Sequence, residues 1–426
     1  MLQKLLSALY STRLMALLFI GFAAAMAAGT FIEDAYNTET ARILVYNTWW
    51  FEAIMVFFVI NFFGNIKRYQ LYKKEKWATL LLHLSFIFII IGAFVTRYIS
   101  YEGLMPIREG AISNTVYSDM PHLTTFVDGE YQGEMKRKTI ENQLLLSQAV
   151  NNSFSYSDKF SDIPYKIELQ EFIMNASQTF KPNAKGDLYI KLVEASGGSR
   201  KEHFLRDGEV KNISNVLFAF NKFTQGAVNI SKIAEAYTIQ TPFDGNFMRM
   251  ADKFQGTISK DKASPLMFRS LYNAGGSQFV FPELAQNGEV VLASNNDYKD
   301  KKTDDAIVVK VTSQNKEEIV TLMGSKGKQG EPKSFKIGKL DFTLMYGSKV
   351  HTLPFSIKLN DFVAEKYPGT EKSYSAFKSK IEIQDKEKSK TFTDSVFMNH
   401  ILDYREFRFF QASFDEDEKG TILSVN

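Results

Sequence analysis

Residues 77–96, WATLLLHLSFIFIIIGAFVT, form a run of 20 without a formally charged side chain, and a bilayer is the environment that suits such a run best. At about 1.5 Å per residue a helix of this length reaches roughly 30 Å, the thickness of the hydrocarbon core. Two apolar runs precede it. Nineteen uncharged residues lie between Arg13 and Glu33, and fourteen lie between Glu52 and Lys67, extended backward by residues 43–51. The pattern predicts a transmembrane domain over 1–98 with three spanning helices, at about 14–31, 48–65 and 77–97. The rival reading of the first run is a cleaved signal peptide, because Lys4 and Arg13 precede it and small residues crowd 23–29.

The loops orient the spans. NIKRYQLYKKEKW, between the second and third, carries Lys67, Arg68, Lys73, Lys74 and Lys76 against Glu75 alone, which assigns it to the cytoplasm. The loop between the first and second holds Glu33, Asp34 and Glu39 against Arg42, as an external loop can. Three spans from an inside N-terminus then put everything after Arg97 outside.

That remainder, 99–426, has no comparable apolar run and reads as an extracytoplasmic domain. Its periodicity is two: YKIELQEF (165–172), LYIKLVEA (188–195), AIVVKVTS (306–313), FTLMYGS (342–348), FSIKLNDF (355–362) and KSKIEIQD (378–385) alternate apolar with polar residues, as half-buried strands do. ASGGSRKE, FDGN, NAGGSQ, KGKQGEP and KYPGTEKS read as turns between them. The expected fold is thus three N-terminal transmembrane α-helices followed by a large β-rich, sandwich-like extracytoplasmic domain. The stretch 226–302 is less regular and reads as an insertion, with SKIAEAYTI and ADKFQGTI helical or looped and LASNNDYKDKKTDD an exposed linker. The chain ends on a strand-like TILSV, which reads as an interruption within a longer polypeptide.

Composition narrows the chemistry. With 51 Lys+Arg against 48 Asp+Glu there is no nucleic-acid footprint. The chain contains no cysteine, so it forms no disulfides, performs no thiol exchange and has no thiolate nucleophile. Histidine and carboxylate chemistry remain. His83, about 9 Å into the third run, is the candidate of interest: an imidazole in an apolar span is costly unless it meets a partner, and imidazole is a common axial ligand of haem iron. The alternative is a hydrogen bond to a neighbouring helix or snorkelling to a headgroup.

GTFIEDAYNTETARILVYNTWWFE (29–52), WATLLLHLSFIFIIIGAFVTRYISYEG (77–103), LPFSIKLNDFVAEKYPGTEKSYSAFKSKIEI (353–383) and VFMNHILDYREFRFFQASFDED (396–417) together resemble the ResB family, the B half of the system II (CcsBA) cytochrome c synthase. The resemblance is weaker over 125–335. It implies a multi-pass protein of the bacterial inner membrane with its large domain on the periplasmic side, taking part in haem export and in presentation of haem for covalent attachment to apocytochrome c. It implies haem b bound within the membrane, with the family histidine falling on His83 as an axial iron ligand and the second ligand supplied by the CcsA half, fused or separate. Apocytochrome c, thiol-reducing proteins and lipid are the other implied partners. The tryptophan-rich loop and the two external histidines of the family belong to the A half, and TWWFE around Trp49 and Trp50 is not that loop. A fourth span expected after the domain is missing, and the chain reads as the non-catalytic half of a haem lyase.

Other candidates are weaker. His122 lacks a ligand at metal spacing; His203, His351 and His400 stand alone; Asp415, Asp417 and Gly420 do not meet the calcium-loop pattern. Arg13, Arg42 and Arg97 suit haem propionates by chemistry, but interfacial anchoring is their simpler role. The competing functional class is a membrane-anchored external binding or structural domain in which His83 is incidental.

Overall fold

The computed structural model describes residues 2–195, 200–300, 303–370 and 373–426. Parts of the expected turns ASGGSRKE and KYPGTEKS, and of the linker LASNNDYKDKKTDD, lie outside the described residues.

Five α-helices open the chain: α1 Leu2–Leu9, α2 Thr12–Ala35, α3 Thr38–Ala41, α4 Trp49–Arg68 and α5 Trp77–Tyr98. The helical segments Thr12–Ala35, Trp49–Arg68 and Lys74–Tyr98 are long and apolar enough to cross a membrane, at the three places the hydropathy pattern marks. Ser11 caps α2 by accepting the Leu14 N–H at 3.1 Å, and Lys67 and Arg68 sit in the last turn of α4, where cations suit the helix dipole. Leu18, Phe58, Phe62 and Ile87 are the buried residues that join α2, α4 and α5. The α1–α2 corner is tied to α4 by polar groups. Asn61 donates to the carbonyls of Leu9 (2.6 Å) and Ser11 (3.1 Å), Asn65 donates to Asn61 at 2.7 Å, and a side chain at Gly64 would collide with the Tyr10 ring.

The chain falls into two compact units, Met1–Asn175 with Asn296–Asn426, and Ala176–Asn295. In the first, a ten-stranded sheet has Leu340–Lys366 and Ile112–Tyr131 at its centre, with Gly103–Arg108 leading to Gly420–Val425, Phe407–Phe414 and Leu402–Tyr404 on one side and Tyr374–Asp385 and Lys390–Phe397 on the other. A four-stranded sheet runs Lys316–Gly324, Asp305–Ser313, Ile163–Ile173, Ser155–Phe160. Leu123, Val127, Phe342 and Leu344 of the large sheet meet Ile167, Ile307 and Val309 of the small one in a sandwich core. A second core gathers Met105, Phe355, Ile357, Ile381, Phe409 and Leu423 of the large sheet itself. Its end strands approach each other there, Phe392 and Tyr404 lying 5.4 Å apart.

The segments 342–348 and 355–362, expected as two strands, belong to the single strand Leu340–Lys366. Its fully buried positions are even-numbered through Tyr346 and odd-numbered from Leu353 to Leu359, and the register against Ile112–Tyr131 shifts between them. The strand therefore serves both cores.

In the second unit a seven-stranded sheet and a five-stranded sheet enclose Ile190, Leu192, Phe218, Ile230, Tyr272 and Phe279. Residues 231–239, expected as helix or loop, form most of the hairpin Val228–Ile233 and Ala236–Gln240, and the expected insertion at 251–258 ends in the strand Gln255–Ile258. Ala and Glu favour a helix locally, but pairing of Ile230 with Ile239 across the sheet overrides that preference.

Candidate functional site

His83 lies one turn and a half into α5. Its Nδ1 is 2.9 Å from the Thr79 carbonyl of the preceding turn, the geometry of a ring N–H donating to its own helix. The tautomer so fixed leaves Nε2 as a lone-pair nitrogen with no hydrogen-bond partner among the described residues. The ring faces α4, where it stands edge-on to Phe62 at 5.6 Å and 84°. Phe62 stacks with Phe58 and Phe86, and Phe19 approaches Phe58 to 4.8 Å. The surroundings are aromatic hydrocarbon with one available nitrogen.

From Phe62 and Phe86 an apolar groove of about 770 Å³ follows α4 and α5 to Glu52, Arg97 and Tyr98. There Arg97 donates to Glu52 at 2.5 Å and to the Tyr46 carbonyl at 2.7 Å, and the Tyr98 hydroxyl donates to Glu52 at 2.8 Å. Arg97 is fourteen residues beyond His83, roughly 21 Å along the helix. A propionate on a porphyrin centred at His83 does not reach that far, so Arg97 closes the opposite end of the groove.

Arg42, in a turn of π-helix at Arg42–Tyr46, reaches Asp119 at 3.4 Å and the Met120 sulfur at 3.0 Å. Thr40 and Ser147, both buried, share a hydrogen bond of 2.6 Å, and the rings of Tyr36 and Tyr298 lie 5.2 Å apart. The loop between the first two spans thus docks on the β-rich part of its unit, placing both on one side of the helices. Arg13 is exposed in the first turn of α2, and Trp49 and Trp50 open α4.

The remaining histidines do not converge on His83. His122 is bonded through Nδ1 to the Met120 carbonyl, and burial lowers its pKa. His351 packs on Tyr101 with ring centres 4.0 Å apart, and burial lowers its pKa also. His203 approaches Glu194 to 3.4 Å, with burial again the main cause of a lowered pKa, and His400 stacks on Phe397 at 4.5 Å. Asp415 and Asp417 are gripped by Arg108, at 2.6 and 2.5 Å, which makes this acidic turn a clasp between the first and last strands. Among the described residues, no group of three or more His, Cys, Asp or Glu stands ready to hold a metal ion.

Phe62 and Glu52 escaped the sequence reading. Phe58 and Phe62 carry the helical i, i+4 spacing, and Glu52 is the lone acid at the edge of its apolar run, but in a span rich in phenylalanine neither signal is selective.

Residues 329–425 match the ResB-like family. Over all 426 residues the chain is 25% identical to Protein NrfI of Wolinella succinogenes, covering 32% of it, so the chain spans about a third of the length of this curated relative. The family match contains the blocks 353–383 and 396–417, and over 329–425 the chain is similar to the ResB-like family.

Proposed function

We propose that the chain acts in system II cytochrome c biogenesis as a ResB-like portion of the synthase, binding haem in the membrane on its way to apocytochrome c outside. The observation that carries the reading is Nε2 of His83, which has no hydrogen-bond partner among the described residues, in a helix apolar enough to cross a membrane. The residues present fit a haem as cargo: an imidazole with one nitrogen available and aromatic hydrocarbon on the facing helix. His83 would hold the iron through Nε2, together with a histidine of the CcsA half. Donation from Nδ1 to Thr79 leaves Nε2 as the nitrogen that can meet a metal. Phe58, Phe62 and Phe86 exclude water from that face.

Bound there, haem carries the vinyl groups to which the apocytochrome thiols are joined. On this reading no acid, base or nucleophile of this chain is assigned to that step, and its β-rich domain has the task of holding the A half or the apocytochrome. The basic loop 67–76 faces the cytoplasm and the domain faces the periplasm of a bacterial inner membrane.

The test is cytochrome c maturation by the native assembly carrying His83→Ala. Maturation and co-purified haem should fall while membrane insertion persists, and added imidazole should restore part of both by filling the coordination site. Full maturation in His83→Ala at normal expression overturns the reading and favours an anchored binding domain without haem.

A further inference from the structure

Phe62 is 3% exposed, and its ring stacks with Phe58 at 5.7 Å and 12° and with Phe86 at 5.3 Å and 4°. Phe19 adds an edge contact to Phe62 at 6.4 Å. In a close-packed interior such a ring cannot turn without moving its neighbours. His83 meets it edge-on. The second constraint on His83 is the bond from Nδ1 to Thr79, which holds one edge of the imidazole. The χ2 well of histidine is broad, so a hydrogen bond at one edge settles which nitrogen meets the helix backbone but leaves the plane of the imidazole free to rock. A fixed aromatic surface removes that freedom.

We infer that Phe62 is a positioning residue: it sets the plane of the His83 imidazole and thereby the direction in which Nε2 meets the iron. The inference rests on the haem reading above. Phe62 acts through His83, and its contribution is pre-organisation of a ligand. It adds no ligand of its own.

The test uses the full native assembly in detergent, with two readouts besides activity: the low-spin ferric electron paramagnetic resonance signal, whose anisotropy follows the planes of the axial imidazoles, and the rate of haem loss to an apomyoglobin trap. Phe62→Leu should keep haem but broaden or shift the ferric signal and speed haem loss roughly two- to tenfold, the change that one aromatic pair corresponds to. Phe62→Tyr, which keeps the ring, should match the wild type. If Phe62→Leu does not accumulate, Phe86→Leu decides, because it removes the stacking support while leaving Phe62 in place; a shifted signal supports the inference and an unchanged one overturns it. An unchanged signal and loss rate in Phe62→Leu, with haem absent from His83→Ala, overturns the inference alone. Full haem in His83→Ala overturns the reading beneath it as well.

Discussion

A single hydrogen bond, from Nδ1 of His83 to the Thr79 carbonyl, decides which ring nitrogen can meet a metal. Outside the spans, the residue whose environment departs most usefully from water is Asp305. Burial, foremost, pushes its carboxyl up to about 6, and Glu39, Asp304 and Asp300 add like charge, against the Asn175 N–H that donates to it at 2.8 Å. A carboxyl raised in this way favours the folded state while it is protonated. Its contribution is complete below the ordinary value of 3.8 and is lost as pH rises through about 6. The expected size is on the order of 2 kcal/mol over that window. Asp417 works in the opposite sense, since Arg108 holds it down at about 2. Only a difference between variants isolates Asp305. Denaturant melts of Asp305→Asn should therefore gain on the wild type as pH rises from about 4 to about 7, Asn still accepting from Asn175. A constant difference across that range would refute the assignment.

At the scale of elements, the loop between the first and second spans is where geometry adds most. Thr40 and Ser147 are 107 positions apart in sequence, yet their hydroxyls are 2.6 Å apart. Because residues 1–426 contain no cysteine, Thr40→Cys with Ser147→Cys should form one disulfide under mild oxidation, visible as faster migration on a non-reducing gel. Either single variant should not shift, and a double variant that stays reduced would contradict the docked loop. Asn61→Ala should loosen the α1–α2 corner at a cost of roughly 1 kcal/mol, read as faster proteolysis near Ser11.

The three long helices were legible because uncharged runs of span length have few alternatives, and the strands of the first unit because apolar residues alternate. The hairpin at 233–236 was not. Its two-residue loop, Ala234–Glu235, lacks the Asn-Gly or Asp-Gly signal of tight turns, and Ala234 adopts a positive φ of 53° that its sequence does not advertise. In the candidate site His83 was legible from its isolation in an apolar run, whereas Phe62 acquires its role only from the packing of α4 on α5.

At the scale of the whole molecule, three helices long and apolar enough to cross a membrane precede β-rich units, and residues 329–425 resemble the ResB-like family. The proposed orientation predicts that a cysteine at Ser113 reacts with an impermeant thiol reagent in intact spheroplasts and one at Tyr72 does not; the reverse pattern would invert the topology. If His83 ligates haem within the membrane, as proposed, the pyridine haemochrome spectrum of the purified native assembly reports it. Wild type and His122→Ala should carry equal haem, and His83→Ala should be depleted at equal protein yield. Equal haem in all three would contradict the claim and return His83 to a helix-packing role.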